Sequence, residues 1–504
     1  MTIALTGDDL TLSQFAAAAL GNAPVALADA ARQRMEAARA VIDRVVASET
    51  TVYGVNTGFG DLAQVRIPLA DIRRLQVNLV RSHACGVGPP LGPAETRAMI
   101  LLRANALAKG RSGVRPVVAD TLCRMLADGV LPIIPAQGSV GASGDLAPLA
   151  HLALVTIGEG EALYRGERLA GIEALRRAGI TPLALEAKEG LALLNGTQGM
   201  LALLAIALLD AETLADTADV ALALSLDALR GTPAAFDDRI ARARPHPGAR
   251  RTARNVARLI AGSAIRESHR AGSLDPRVQD AYSLRCGSQV HGAARDALAE
   301  IRRIVEIELN SATDNPLVFS EEDEVLSGGN FHGQPLAMAA DHMAVALATL
   351  AGISERRIDR LTNPHGSLLP PFLTEQPGLN SGFMMAQVTA AALASENKAL
   401  AAPHSVDSIP TSGGQEDYVS MGMSAARRLR PMLENTRHVL AIELLAACQG
   451  LDLLAPLHTG PEAEKAHRLV RSVAEKYTSD RPHAPDIAAV AALVASGAFA
   501  ALLR

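Results

Sequence analysis

The 504-residue chain has no tryptophan, and aromatic residues make up only 3% of it. Its core must therefore be aliphatic, and the abundance of alanine and leucine favours helix over sheet. Cysteine is scarce as well: Cys85, Cys123, Cys286 and Cys448 lie far apart and form no CxxC pair. That excludes a disulfide framework and a thiolate zinc site, and it fits a reducing, cytoplasmic setting. There is no surplus of positive charge. Forty-eight Lys and Arg against 53 Asp and Glu leave a formal charge of −5, which argues against a general binder of nucleic acid or of anionic membranes. The first ten residues, MTIALTGDDL, lack the basic segment and long apolar run of a signal peptide. One uncharged run, 190–209, is long enough to span a bilayer, but Asn195, Gly196, Thr197 and Gln198 stand in it and no aromatic or basic anchors flank it. It reads as a helix buried in a large bundle.

Hydrophobic residues make up 49% of the chain and charged residues 20%, so disorder is ruled out and a sizeable core can form. The length allows about three domain-sized units or one large fold. Apolar residues recur at helical spacing over 28–49, 69–81, 94–109 and 114–128. Longer helices are predicted over 201–230, 287–309, 334–361, 381–402 and 420–448. Pro335 is tolerated at a helix start, whereas Pro431 predicts a kink or break near the residue before it. Strand signals are few: a hairpin over 161–169 turning at Arg165-Gly166, and a short edge strand at 317–319. No solenoid repeat is found. The loops 53–60, 137–145, 194–199, 311–316, 328–333 and 411–417 are rich in Gly, Asn, Ser, Thr and Gln. Either they form a site presented on rigid helices or they are ordinary turns.

Several chemistries are excluded. Gly138, Gly141 and Gly144 are spaced GxxGxxG rather than as a dinucleotide fingerprint. No Gly-Lys-Ser/Thr follows the glycines of 53–60, and Gly141-Ala-Ser-Gly-Asp145 lacks the last glycine of a nucleophile elbow. HExxH is absent and none of the 13 histidines pairs at i, i+4, so a histidine metal site would need distant loops. The arginines at 242, 244, 250, 251, 254 and 258 form either an anion patch or a solvated helix face.

The segment Ile134-Pro-Ala-Gln-Gly-Ser-Val-Gly-Ala-Ser-Gly-Asp-Leu-Ala-Pro-Leu-Ala-His151 resembles the signature of the aromatic amino-acid ammonia-lyases. The resemblance runs from Tyr53 to about Asp486. It takes in Tyr53-Gly-Val-Asn-Thr-Gly-Phe-Gly60, Asn195-Gly-Thr-Gln198, Gln279-Asp-Ala-Tyr-Ser-Leu-Arg-Cys286, Gly329-Asn-Phe-His332, Gly378-Leu-Asn-Ser-Gly-Phe383 and Gln415-Glu-Asp417. It implies a mainly α fold: a central bundle of long helices of fumarase/aspartase-like shape, with a smaller N-terminal domain carrying the signature loop. The corresponding boundaries are 1–200, 201–450 and 451–504. It also implies a homotetramer whose sites are built by several subunits, and no metal or nucleotide.

In such enzymes an Ala-Ser-Gly tripeptide cyclises to 4-methylidene-imidazol-5-one (MIO), here from Ala142, Ser143 and Gly144. Glycine leaves the attacking amide nitrogen uncrowded and allows the tight backbone. Asp145 either assists the dehydration or caps a following helix. By the same resemblance Tyr53 is the base for the β-proton, a role that requires a phenol titrating below its ordinary value near 10. Arg285 is the fork for the substrate carboxylate. Asn195, Gln279 and Tyr282 surround the ring and the polar groups of the substrate, and Phe331 packs at the pocket.

Ser82-His83 resembles members acting on L-histidine, while those acting on phenylalanine or tyrosine carry leucine where His83 stands. Glu416, beside Gln415, adds a carboxylate for the imidazole or the amine. The expected reaction is elimination of ammonia from L-histidine to trans-urocanate. The alternatives are a tyrosine or phenylalanine lyase or aminomutase with the same ring, or a non-catalytic helical scaffold. A fumarase- or aspartase-like lyase lacks support, because the Gly-Ser-Ser…Met-Pro…Lys loop of that group is missing. Gly413-Gly414, Tyr418 and Gly287-Ser288 depart from the family pattern beside site residues, which bears on substrate preference.

Overall fold

The computed structural model describes residues 2–48, 51–58, 64–269 and 277–504. Phe59 and Gly60, the end of the first polar loop, and Glu49, the end of the first predicted helix, lie outside these. The described chain is helical with a few short strands. The predicted helices appear as Asp29–Ala47, Ile72–His83, Pro93–Ala108, Pro116–Asp128, Gln198–Ala228, Gly287–Glu308, Gln334–Thr362 and Met384–Leu400. The pattern expected over 420–448 divides into Gly422–Arg427 and Leu429–Leu453. The break falls at Arg428, because Pro431 lacks the amide that would continue the ladder and fits only the first turn of a new helix. The hairpin forms as expected, with Glu161–Tyr164 paired antiparallel to Glu167–Ala170 and Arg165 in the left-handed region. Leu317–Phe319 pairs with Glu324–Leu326.

The apolar run 190–209 is not one helix. Helix Glu189–Leu194 ends at Asn195, whose backbone turns to φ −86°, ψ 108°, and Gln198–Ala228 begins after Gly196. Gly196 has φ +154°, and a Cβ there would overlap Gln198, Arg103 and Thr313. Only glycine fits, and the helix stops. Gln198–Ala228 and Gln334–Thr362 are long and apolar enough to cross a membrane, yet 72% and 61% of their most apolar stretches are buried inside the protein, as in core helices of a large bundle.

The chain forms two compact units. The first comprises Met1–Ile206, Arg302–Asp341 and Pro403–Arg427. Its core gathers Met99, Ile100 and Leu101 of helix Pro93–Ala108, Leu122 and Met125 of Pro116–Asp128, and Leu149 and Leu152 of Leu146–Thr156, all buried. The second comprises Ala207–Ile301, His342–Ala402 and Arg428–Arg504. There Met384–Leu400 and Ala484–Ala495 both pack on Leu429–Leu453, and buried Asn397 donates to Thr436 Oγ1 at 3.0 Å. A chain of buried charge crosses this unit. Arg295 pairs with Asp219, Asp219 accepts from His291 Nδ1, and Arg357 donates to His291 Nε2 and forks onto Glu443. Within the basic stretch 242–258, Arg242 meets Asp238 and Arg251 meets Asp216, while Arg244, Arg254 and Arg258 are exposed.

Candidate active site

Polar loops of the first unit converge on a cavity of about 620 Å³, within the range of small-molecule sites. Its lining includes Tyr53, His83, Ala142, Ser143, Asn195, Phe331, Gln415 and Glu416. Eight of the residues singled out from the sequence thus meet in one place. Each is set there by a local device. Tyr53 sits in a turn closed by the side chains of Asn56, which accepts from the Val52 amide at 2.8 Å, and Thr57, which accepts from the Gly54 amide at 3.2 Å. His83 ends helix Ile72–His83, and Asn195 ends helix Glu189–Leu194.

The Ala142-Ser143-Gly144 segment is pinned from several sides. Ser420 Oγ and the Gly333 amide donate to the Gly141 carbonyl at 3.0 and 3.3 Å, and the Met421 amide donates to the Val140 carbonyl at 2.8 Å. Gly144 has φ +76° and lies against Gly196, so a Cβ at 144 would overlap the Gly196 backbone. The Asp145 amide donates to the Gly196 carbonyl at 2.8 Å. Asn195 Nδ2 donates to the Ser143 carbonyl at 2.7 Å, and among the described residues its buried Oδ1 has no partner. Ser143 Oγ donates to Glu416 Oε1 at 2.7 Å, while Thr411 Oγ1 holds Oε2 at 2.6 Å.

Asp145 does not cap the helix that follows it. No backbone amide of Leu146–Thr156 reaches its carboxylate. The carboxylate accepts instead from Ser139 Oγ at 2.8 Å and from the Met200 amide at 2.7 Å, the latter in the first turn of Gln198–Ala228. Burial pushes its pKa up to about 6 against those hydrogen bonds. The same residue therefore fastens the signature loop and satisfies the start of the long helix.

The remaining expected residues are placed elsewhere. Gln279, Tyr282 and Arg285 belong to the second unit and are not among the residues lining the cavity. Arg285 Nε donates to the Asp280 carbonyl at 2.9 Å, and the guanidinium lies 4.5 Å over the exposed Tyr282 ring. Asp280 in turn accepts from the Thr232 amide at 2.7 Å. Nη1 and Nη2 of Arg285 have no hydrogen-bond partner among the described residues, which suits a fork awaiting a carboxylate. His332 and Tyr418, which the cavity also contains, stack with centroids 6.2 Å apart.

Sequence reasoning missed a buried cationic pair behind the loop. Lys188 Nζ bonds Asp314 at 2.8 Å, and Arg103, fully buried, donates to the Asn195 carbonyl at 2.7 Å and to Gln198 Oε1 at 3.0 Å. Burial lowers the Arg103 pKa to about 10. The available signal was an arginine in the apolar stretch Leu101-Leu-Arg-Ala-Asn-Ala-Leu107, where an unpaired charge is costly. Among the described residues no group of three His, Cys, Asp or Glu side chains is placed to hold a metal ion.

Comparison with known proteins identifies the family. A profile described as aromatic amino acid lyase matches residues 10–472. The chain belongs to the aromatic amino acid lyase family. It is 57% identical to a histidine ammonia-lyase of Koribacter versatilis, over 99% of both chains. It is 55% identical to one of Anaeromyxobacter sp. (strain K), over 98% of this chain and 99% of the relative. Among solved structures, histidine ammonia-lyase from Trypanosoma cruzi superposes with a TM-score of 0.92 at 45% identity, over 100% of this chain and 95% of that one. Tyrosine aminomutase from Streptomyces globisporus gives 0.94 at 38% identity, over 100% and 98%. The aminomutase superposes as well as the ammonia-lyase, so the fold of this lyase family does not choose the substrate; side chains in the cavity do.

Proposed function

We propose that this lyase eliminates ammonia from L-histidine to give trans-urocanate. The observation that carries the reading is that His83 and Glu416 stand in one cavity with Ala142 and Ser143. These are two polar partners for an imidazole beside the tripeptide of the family signature. The segment fits the ring the resemblance implies. Position 144 admits only glycine, and the Asn195 side chain offers an Oδ1 without a partner among the described residues and an amide that already holds the Ser143 carbonyl. The ring supplies a carbon electrophile at the Ser143 β-carbon, which unmodified side chains do not provide.

The other roles follow from placement. Tyr53 takes the β-proton from its turn at the cavity wall. His83 accepts from the substrate imidazole, and Glu416 holds the amine or the second ring nitrogen. Phe331 and Gln415 close the pocket around them. Arg285 grips the carboxylate, with Tyr282 and Gln279 beside it. Among the described residues no Lys or Arg lines the cavity, and in this reading a second subunit supplies the cation for a carboxylate bound there. We read the assembly as a homotetramer with shared sites. Exposed Met338, Val345, Met385 and Val388 supply apolar surface suited to a subunit contact.

The test combines mass and turnover. Intact wild-type protein should be lighter than its sequence by two waters and Ser143→Ala should not, and only the former should generate urocanate absorbance from L-histidine. Turnover of L-tyrosine or L-phenylalanine without L-histidine would overturn the assignment.

A further inference from the structure

Arg103 touches none of the cavity, yet it stands directly behind the turn that the tripeptide leans on. It lies in helix Pro93–Ala108 with no exposure to solvent. Its Nη1 donates to the Asn195 carbonyl at 2.7 Å and to Gln198 Oε1 at 3.0 Å. Gln198 Nε2 passes the contact on to Thr313 Oγ1 at 2.8 Å. The 195–198 turn is thus clamped at its first and last residues by one guanidinium. On the other side of the same turn Asn195 Nδ2 holds the Ser143 carbonyl and the Gly196 carbonyl accepts from the Asp145 amide. A Cβ at Gly144 would meet the Gly196 backbone, and one at Gly196 would meet Gln198, Arg103 and Thr313.

The charge at this place is also notable. Arg103 and Lys188 are both fully buried, and Asp314 is the acidic partner that faces them. Carboxylates stand close by as well: Thr197 of the same turn donates to Glu308 Oε1 at 2.7 Å, and buried Asp145 follows Gly144. Nε and Nη2 of Arg103 have no partner among the described residues. A group that merely filled space would be apolar, because burying an arginine with unmet donors is unfavourable unless its charge or its donors are needed.

We propose that Arg103 is a positioning residue for closure of the imidazolone ring, holding the Asn195–Gln198 turn as the abutment against which Ala142-Ser143-Gly144 is compressed. The inference rests on the ring-based function above. In ring closure the Gly144 amide nitrogen bonds to the Ala142 carbonyl carbon. The former carbonyl oxygen leaves as one water, with the amide protons of Gly144 and Ser143. The Ser143 hydroxyl leaves as the second water, with the Ser143 α-proton. No oxidant is required. Compression brings the attacking nitrogen onto the carbonyl carbon, and the entropy of that approach is met by the fold beforehand. Asn195 fixes the Ser143 carbonyl during the step, and Arg103 fixes Asn195.

Arg103→Met, Arg103→Gln and Arg103→Lys test this, read by intact mass on folded protein whose helicity and assembly match wild type. Arg103→Met should close the ring about tenfold more slowly, the effect of one lost charge-assisted hydrogen bond. Freshly made protein would then be mostly at full mass and lose two waters only on standing. Arg103→Lys should recover most of the rate and Arg103→Gln less. Should Arg103→Met fail to fold, the ordering of Lys above Gln in ring content decides. Variants that fold and carry the wild-type mass deficit from the start would overturn the role of Arg103 alone. Wild-type protein at full mass would overturn the ring-based function and this role with it.

Discussion

Replacing His83 with leucine tests recognition of the substrate ring. The Ser82 hydroxyl donates to the Leu79 carbonyl at 3.1 Å, so its oxygen can only accept from His83 Nδ1, 3.0 Å away. The proton of the neutral imidazole therefore sits on Nδ1, and Nε2 keeps its lone pair. Burial holds the His83 pKa below its ordinary value, outweighing the Leu79 carbonyl and Glu416, both of which favour the cation. At neutral pH the residue is thus an acceptor, suited to the N–H of a second imidazole. In His83→Leu that N–H would be desolvated without a partner, at about 1–3 kcal/mol, or roughly 5- to 150-fold in kcat/KM for L-histidine. The apolar wall should move kcat/KM for L-phenylalanine the other way. Product absorbance with each amino acid, on protein whose ring content has been checked by mass, gives both numbers. If kcat/KM for L-histidine stayed within about threefold of wild type and the ratio to L-phenylalanine did not move, His83 would have no part in recognition.

Other consequences are as direct. Gly144→Ala should fold poorly or remain at full mass, because the new Cβ meets the Gly196 backbone at a positive φ; mass and circular dichroism report it. The raised pKa of Asp145, about 6 in the folded state against about 3.9 unfolded, means that the folded protein binds this proton more tightly. The associated stability is complete below about pH 4 and is lost as pH rises through 6, amounting to about 3 kcal/mol. The denaturation midpoint of Asp145→Asn relative to wild type should therefore improve from pH 4 to pH 7, and a pH-independent difference would refute the linkage. Glu443→Leu should cost about 3–5 kcal/mol by stranding buried Arg357, and adding Arg357→Met should recover most of it in a thermal melt.

Much of this architecture was legible because it is local. Arg165-Gly166 supplies the left-handed residues a tight hairpin needs, and Pro431 forbids an unbroken helix through 428. The run 190–209 reads as one helix because it carries no charge, although its Asn195-Gly-Thr-Gln198 stretch also marks a polar loop. The break at Asn195–Thr197 depends on Arg103, Gln198 and Thr313 crowding Gly196, and no periodicity carries that information. The same holds for Asp145. A carboxylate before a helix suggests a cap for that helix, whereas the amide it satisfies lies 55 residues away. Motif resemblance named the groups that touch the cavity, but the second layer behind them consists of long-range contacts between ordinary residue types.

The placement of Arg285 leads to a decisive test of the assembly. Tyr53 lines the cavity in the first unit and Arg285 belongs to the second. If a site takes Tyr53 from one chain and Arg285 from another, two inactive variants should complement each other. Tyr53→Phe chains keep Arg285, and Arg285→Ala chains keep Tyr53. In tetramers assembled at random from equal amounts, a site needs its tyrosine from one kind of chain and its arginine from the other. About one quarter of sites meet that condition when the two come from different subunits. Co-expression with distinct affinity tags, followed by isolation of mixed tetramers, should therefore restore about a quarter of wild-type urocanate formation, while each variant alone stays inactive. Sites built within one chain would restore nothing, since no chain in the mixture carries both groups. Verified mixed tetramers without activity would place Tyr53 and Arg285 in the same subunit's site, and activity of either variant alone would remove that residue from catalysis.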